Sequence, residues 1–311
     1  MKKLAIPFAL GVAVLFAATT APAHRSVAHA DCANASTSFT PLIDLHSGTY
    51  QGYRGGLYPA GHDAPTAKYL KQGLAAAKLV KPVDGKVVLL SIGMSNTTQE
   101  WQAFMQLLHS AVDRLYSPAV TVVDGAQGGQ DAEIVKDPSA QFWANVEQRL
   151  AHAGATDAQV QAVWLKEAIA RPTEQFPADA QRLHADLEAI LQILAQKYPN
   201  LHLVYLSSRT YGGYASTTLN PEPYAYQSGF AVKWTVGDRI DGHLKVRPWV
   251  GWGPYLWTNG TAGRSDGLVW NCSDTVADGT HPSATGRQKV AQLLLNFFTA
   301  DPTAKSWFAS R

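Results

Sequence analysis

The chain has 311 residues, with 26 Lys and Arg against 24 Asp and Glu, ten His and a formal net charge of +2. Near-neutrality without a basic stripe argues against nucleic acid or an anionic membrane surface as partner and favours a small or neutral substrate. A mature chain of about 280 residues is ample for one large α/β domain with a sizeable core.

Lys2 and Lys3 precede an apolar run from Leu4 to Ala18, and small-residue cleavage patterns follow at Ala21-Pro22-Ala23 and Ala28-His29-Ala30. Residues 1–30 are therefore expected to be a signal peptide, cut after Ala23 or Ala30, and the mature protein to be secreted or periplasmic. The apolar run is too short, and too soon followed by Pro, His and Arg, for a membrane span, so no stable membrane insertion is expected after cleavage. Cutting after Ala30 removes Lys2, Lys3 and Arg25 from the 26 bases and no acid, which leaves 23 against 24. In an oxidising compartment the only two cysteines, Cys32 and Cys272, can pair.

Residues 31–82 are rich in Gly, Tyr and Pro around Tyr50 to Pro59 and show little periodicity before Lys68 to Leu79, so an irregular lead-in packed on the domain at 83–311 is expected. Val87 to Ile92 is a short, β-branched apolar run suited to a strand buried on both faces. Trp101, Phe104, Met105, Leu108, Val112 and Leu115 then recur at helical spacing. Val120 to Val123 reads as the next strand, Val160 to Leu165 as a weaker third and Leu201 to Leu206 as a fourth; Leu183 to Leu194 marks a long helix and Val290 to Phe297 the last. This alternation predicts a three-layer α/β/α sandwich around a mostly parallel sheet. Ligands of such sheets bind beyond the carboxyl ends of the strands, where Ser95 and Gly128-Gly129 fall.

Ser95 sits at a strand-to-helix turn, where its backbone N–H at a helix start favours developing negative charge. A helix cap is the plainer role for the run Ser95-Asn96-Thr97-Thr98. The second motif, Asp278-Gly279-Thr280-His281, strengthens the catalytic reading. Asp278, three residues before His281, can accept from the imidazole Nδ1–H and leave Nε2 to take a serine proton. Pro282 keeps His281 out of a helix, and Ser283 can cap the helix that follows.

Gly93-Met94-Ser95-Asn96, Asp278-Gly279-Thr280-His281-Pro282 and the glycine segment Val123 to Gly129 resemble, in order and spacing, the SGNH (GDSL-like) hydrolases, and more closely the branch with sialate O-acetylesterases and related carbohydrate acetylesterases. The resemblance spans roughly Val83 to Phe298 and rests on about a dozen specific residues. It implies a flavodoxin-like fold and a Ser95-His281-Asp278 triad. It also implies an oxyanion hole from the amides of Ser95 and Gly129, with Asn96 and Gly128 beside it as substrate-binding residues; Trp252, in the aromatic run Arg247 to Trp257, is a further candidate substrate-binding residue. One block departs from the pattern: where the family has an Asn or a Trp-x-Gln-Gly-Glu segment, this chain has Val163-Trp164-Leu165-Lys166-Glu167-Ala168. Lys166 can donate to an oxyanion as a cation, or Lys166 and Glu167 open a solvated helix. Loss of one donor would weaken the transition state by roughly 3 to 4 kcal/mol.

Aromatic residues cluster in Arg247 to Trp257 and at Trp270, and again at Tyr50, Tyr53 and Tyr58 beside Arg54, where they are expected either to wall a sugar site or to pack. His46, His62, His109, His152, His184, His202 and His243 are scattered without paired ligands, so neither a metal nor a cofactor is expected. These readings predict an exported serine esterase that removes a small acyl group, acetyl foremost, from a carbohydrate or related hydroxylated substrate. The alternatives are a secreted glycan-binding or envelope protein with the same fold and little catalysis, and a lipolytic enzyme, disfavoured because no extended apolar lid segment is evident.

Overall fold

The computed structural model describes Met1, residues 30–110 and residues 115–310. All but the two end residues of the expected signal peptide lie outside the described residues, as does Val112. The segment ahead of the first long strand forms α1 (Leu42–Leu45), the antiparallel ribbon of β1 (Thr49–Tyr50) and β2 (Tyr53–Arg54), and α2 (Ala67–Ala77), capped by Thr66. The chain then alternates through β3 (Val87–Gly93), α3 (Ser95–Ser110), β4 (Val120–Asp124), α4 (Ala132–Val135), α5 (Gln141–His152) and β5 (Val160–Lys166). It continues with α6 (Ala178–Lys197), β6 (Leu203–Leu206), α7 (Tyr224–Asp241), β7 (Trp249–Trp252), α8 (Ala284–Ala300) and α9 (Lys305–Phe308).

The five long-range strands are all parallel, in the order β4-β3-β5-β6-β7. Every residue of β3 and β5 is buried, which an α/β sheet achieves only with helices on both faces. On one face α3 packs against α8, and on the other α6 packs against α7. The fold is thus the expected α/β/α sandwich. The connection from β3 runs to β4 on one side, and the next passes back over β3 to β5. The carboxyl end of β3 is therefore the point where strand order reverses and a crevice opens.

Several elements differ from expectation. β5, the strand with the weaker apolar pattern, is the centre of the sheet. It tolerates Gln161 there because that side chain bonds the Lys81 backbone at both ends, donating to O (2.5 Å) and accepting from N (2.9 Å). Leu115 lies outside α3 and is 36% exposed, so the apolar stripe ends earlier. α7 escapes a periodicity search because it is buried nearly all round, between the sheet and the lead-in. Trp249 to Trp252, expected either to wall a sugar site or to pack, is the edge strand β7 with both rings buried, so these rings pack. The lead-in contains α2 and docks on that strand: Tyr69 OH donates to Val250 O (2.6 Å), and Lys233 Nζ donates to Arg54 O (2.6 Å). Cys32 and Cys272 are disulfide-bonded, with their Cα atoms 5.4 Å apart.

Candidate active site

Gly93 ends β3 because no larger residue fits: a Cβ there would lie 2.3 Å from Thr97 Oγ1 and 2.4 Å from Lys166 O. The chain turns at once into α3, and Ser95 is its first residue, partly exposed at the carboxyl edge of the sheet. Thr97 Oγ1 donates to Lys166 O (2.7 Å), fixing this turn to the central strand.

The second half of the site comes from the loop before α8. A turn closes with Gly279 N donating to Val276 O (2.9 Å) and Val276 N to His281 O (2.9 Å). Gly279 has φ +67°, and a Cβ there would lie 1.7 Å from Tyr214 O, so both backbone angle and space require glycine. Asp278 Oδ1 accepts from the amides of Thr280 and His281, both at 2.9 Å, while Oδ2 meets His281 Nδ1 at 2.6 Å. Burial pushes the Asp278 carboxyl up, but those hydrogen bonds outweigh it and hold the group below the ordinary aspartate value. His281 Nε2 lies 2.8 Å from Ser95 Oγ. The three side chains expected to act together are thus in one hydrogen-bonded line, with His281 and Asp278 only 23% and 27% exposed.

Gly128 and Gly129 are exposed beside Ser95; a Cβ on Gly128 would lie 3.9 Å from Ser95 Cβ. They form the centre of a turn in which Gln130 N donates to Gln127 O (3.4 Å) and Gly129 takes φ +74°. Gln127 anchors the turn, its amide donating to Gly93 O (2.9 Å) and its buried side chain to Phe142 O (3.0 Å).

Asn96 and Trp252 depart from their expected roles. Asn96 is 1% exposed and donates Nδ2–H to Thr280 O (2.8 Å), so it braces the histidine loop against α3 and does not face substrate. Trp252 is buried on the far edge strand, donating to Leu57 O (2.6 Å) and packing edge-on to Tyr255; it is a core residue. The Tyr50 and Tyr53 rings likewise pack with Phe176, and Tyr50 also with Phe39, Tyr226 and Phe230.

Lys166 neither opens a solvated helix nor faces the nucleophile. Its side chain is wholly buried, and Nζ binds both Glu100 oxygens, at 2.7 and 2.5 Å. Burial pushes its ammonium down to about 8 against the pull of Glu100. Glu167 is buried too; desolvation raises its carboxyl well above the usual range, and its Oε1 has no hydrogen-bond partner among the described residues. Arg209, after β6, is 3% exposed, donates Nε–H to Asn220 (3.1 Å) and leaves Nη1 without a partner among the described residues. Sequence reasoning missed Arg209 and the bracing role of Asn96; the one signal for Arg209 was an arginine two residues after an apolar strand's polar Ser207.

No family model matches the sequence, and no curated protein matches it. Among solved structures, the fold is similar to a proposed platelet activating factor from Streptococcus pneumonia, at 16% identity and TM-score 0.39 over 74% of this chain and 92% of that one. It is also similar to a proposed acylhydrolase from Bacteroides fragilis, at 13% identity and TM-score 0.38 over 77% and 97%. A GDSL-like lipase from Bacteroides thetaiotaomicron matches at 12% and 0.38 over 76% and 97%. Likenesses this distant carry no functional argument, so the reading rests on the site itself.

Proposed function

We propose that this chain is an exported serine esterase that removes a small acyl group, acetyl foremost, from a carbohydrate or another hydroxylated substrate. The observation that carries the reading is the line Ser95 Oγ, His281, Asp278, at 2.8 and 2.6 Å. In this mechanism Ser95 Oγ attacks the ester carbonyl carbon and its proton passes to His281 Nε2. Asp278 holds the ring through Nδ1–H and stabilises the imidazolium. The amides of Ser95 and Gly129 receive the oxyanion, helped by the positive end of α3. Collapse expels the alcohol, protonated by His281, and leaves an ester on Ser95. Water, deprotonated by His281, then attacks that ester, and the carboxylic acid departs as Ser95 regains its proton.

The surroundings favour a polar leaving group. Ser216, Thr217 and Thr218 are exposed beside the base loop, and Ser216 donates its amide to Asp278 O (3.1 Å), so the rim offers hydroxyls. Ser95→Ala should abolish hydrolysis of p-nitrophenyl acetate with the far-UV spectrum unchanged; retained turnover would refute the assignment. A second reading, glycan binding with little turnover, draws on the engagement of Lys166 by Glu100, which leaves the proposed hole with two backbone donors. Labelling of Ser95 by a fluorophosphonate separates the two: an efficient esterase is labelled and a binding protein is not.

A further inference from the structure

His184 and Glu188 stand one helical turn apart on α6, and Asp238 reaches the same point from the neighbouring α7. His184 Nε2 lies 3.1 Å from Asp238 Oδ2 and 3.5 Å from Glu188 Oε1, and all three ligand atoms fall within 4.8 Å of one another. The nitrogen is buried, yet neither contact has the geometry of a hydrogen bond. A buried ring nitrogen left so is uncommon, because an unmet polar group loses its hydration without replacement. Two like-charged carboxylates also converge within 4.8 Å of this nitrogen and of each other, which is costly without a counter-charge.

Both problems have one solution. Around a tetrahedral ion with bonds near 2.1 Å, adjacent ligand atoms sit about 3.4 Å apart. The observed 3.1 and 3.5 Å are close to that edge. Two carboxylates and a neutral imidazole also balance a divalent charge, and the mixed nitrogen and oxygen donors suit zinc better than calcium or magnesium. The His184 ring packs edge-on to Trp234 at 6.2 Å, and His243 Nδ1 lies 3.4 Å from Asp238 Oδ1, the oxygen of that carboxylate other than the one His184 meets. Such outer contacts orient metal ligands.

We propose that His184, Glu188 and Asp238 form a structural site for a divalent transition-metal ion, zinc above all, that clamps α6 to α7, with a solvent oxygen completing the shell. The site is independent of the ester chemistry and stands whether or not Ser95 is a nucleophile. The test uses the full chain after chelator treatment, titrated calorimetrically with Zn(II) and, separately, with Co(II) in the visible range. One Zn(II) should bind per chain and raise the Tm, and Co(II) should give the intense visible bands of a four-coordinate site. His184→Ala and Asp238→Asn should each weaken binding by about 10- to 100-fold or more and cancel the Tm rise. Glu188→Gln, which keeps size and packing, serves as a further variant where His184→Ala fails to fold. Absence of stoichiometric binding, or binding unaltered in the folded variants, would overturn the proposal.

Discussion

The buried Lys166–Glu100 pair allows a sharp test of what lies beneath Ser95. The charged atoms are 2.5 and 2.7 Å apart and both side chains are fully buried. At an effective dielectric constant near 20 their attraction is roughly 6 kcal/mol, a sum comparable to the several kcal/mol per ion lost on leaving water. The pair is therefore expected to be close to neutral against a well-packed apolar substitute, while either charge alone is not tolerated. Lys166→Met and Glu100→Leu should each destabilise the fold by about 3–5 kcal/mol. The combination Lys166→Met with Glu100→Leu should recover most of that loss. Urea unfolding of the four proteins measures the cycle, and p-nitrophenyl acetate hydrolysis at a temperature where all are folded measures function. Because Lys166 points into the core, the double variant should keep kcat within about tenfold of the parent. A stable double variant whose kcat fell by 10²–10³ would show that Lys166 serves the oxyanion after all. Additive, small stability losses would show instead that the charges do not interact as the distances imply.

Asp278→Asn should lower kcat by about 10⁴ with the fold retained, since an amide no longer selects the tautomer of His281. Its aspartate is held below 3.8 in the folded chain, so it contributes stability above that pH and loses it as the pH falls through the folded value. The stability difference between parent and Asp278→Asn should accordingly shrink on acidification below about 3.8, and a gap that stays constant would contradict the assigned hydrogen bonds. Gly279→Ala should cost about 1–3 kcal/mol from its backbone angle alone, and its Cβ should force the loop off Tyr214 and cut kcat more than it alters KM. Thermal unfolding and steady-state kinetics check both parts.

The residues of the proposed triad were legible because their constraints are local. Ser95 after an apolar strand and Asp278-x-x-His281 before Pro282 each follow from a few neighbours, and the sheet edge brings them together. What stayed hidden depends on partners far along the chain. Nothing near Asn96 predicts that its amide will meet Thr280 O, 184 positions away. Lys166 looks solvated until Glu100 is found buried opposite it. The tryptophans of β7 resemble a sugar platform because aromatic rings among glycines carry the same signature whether they face ligand or core; α2 and the Leu57 carbonyl decide it. His184, read as a lone histidine, has Glu188 one turn on in sequence, but Asp238 reaches it only from another helix.

The 186-residue gap between Ser95 and His281 also bears on timing. A chain emerging from its amino end presents Ser95 early, but His281, its base in the proposed mechanism, arrives only with the loop before α8, and α8 must dock on α3 before the two can meet. Hydrolysis would then report completion of folding: every partly made or carboxyl-truncated chain would be chemically silent, and the rate at which activity returns on refolding would measure the slowest long-range closure of the domain.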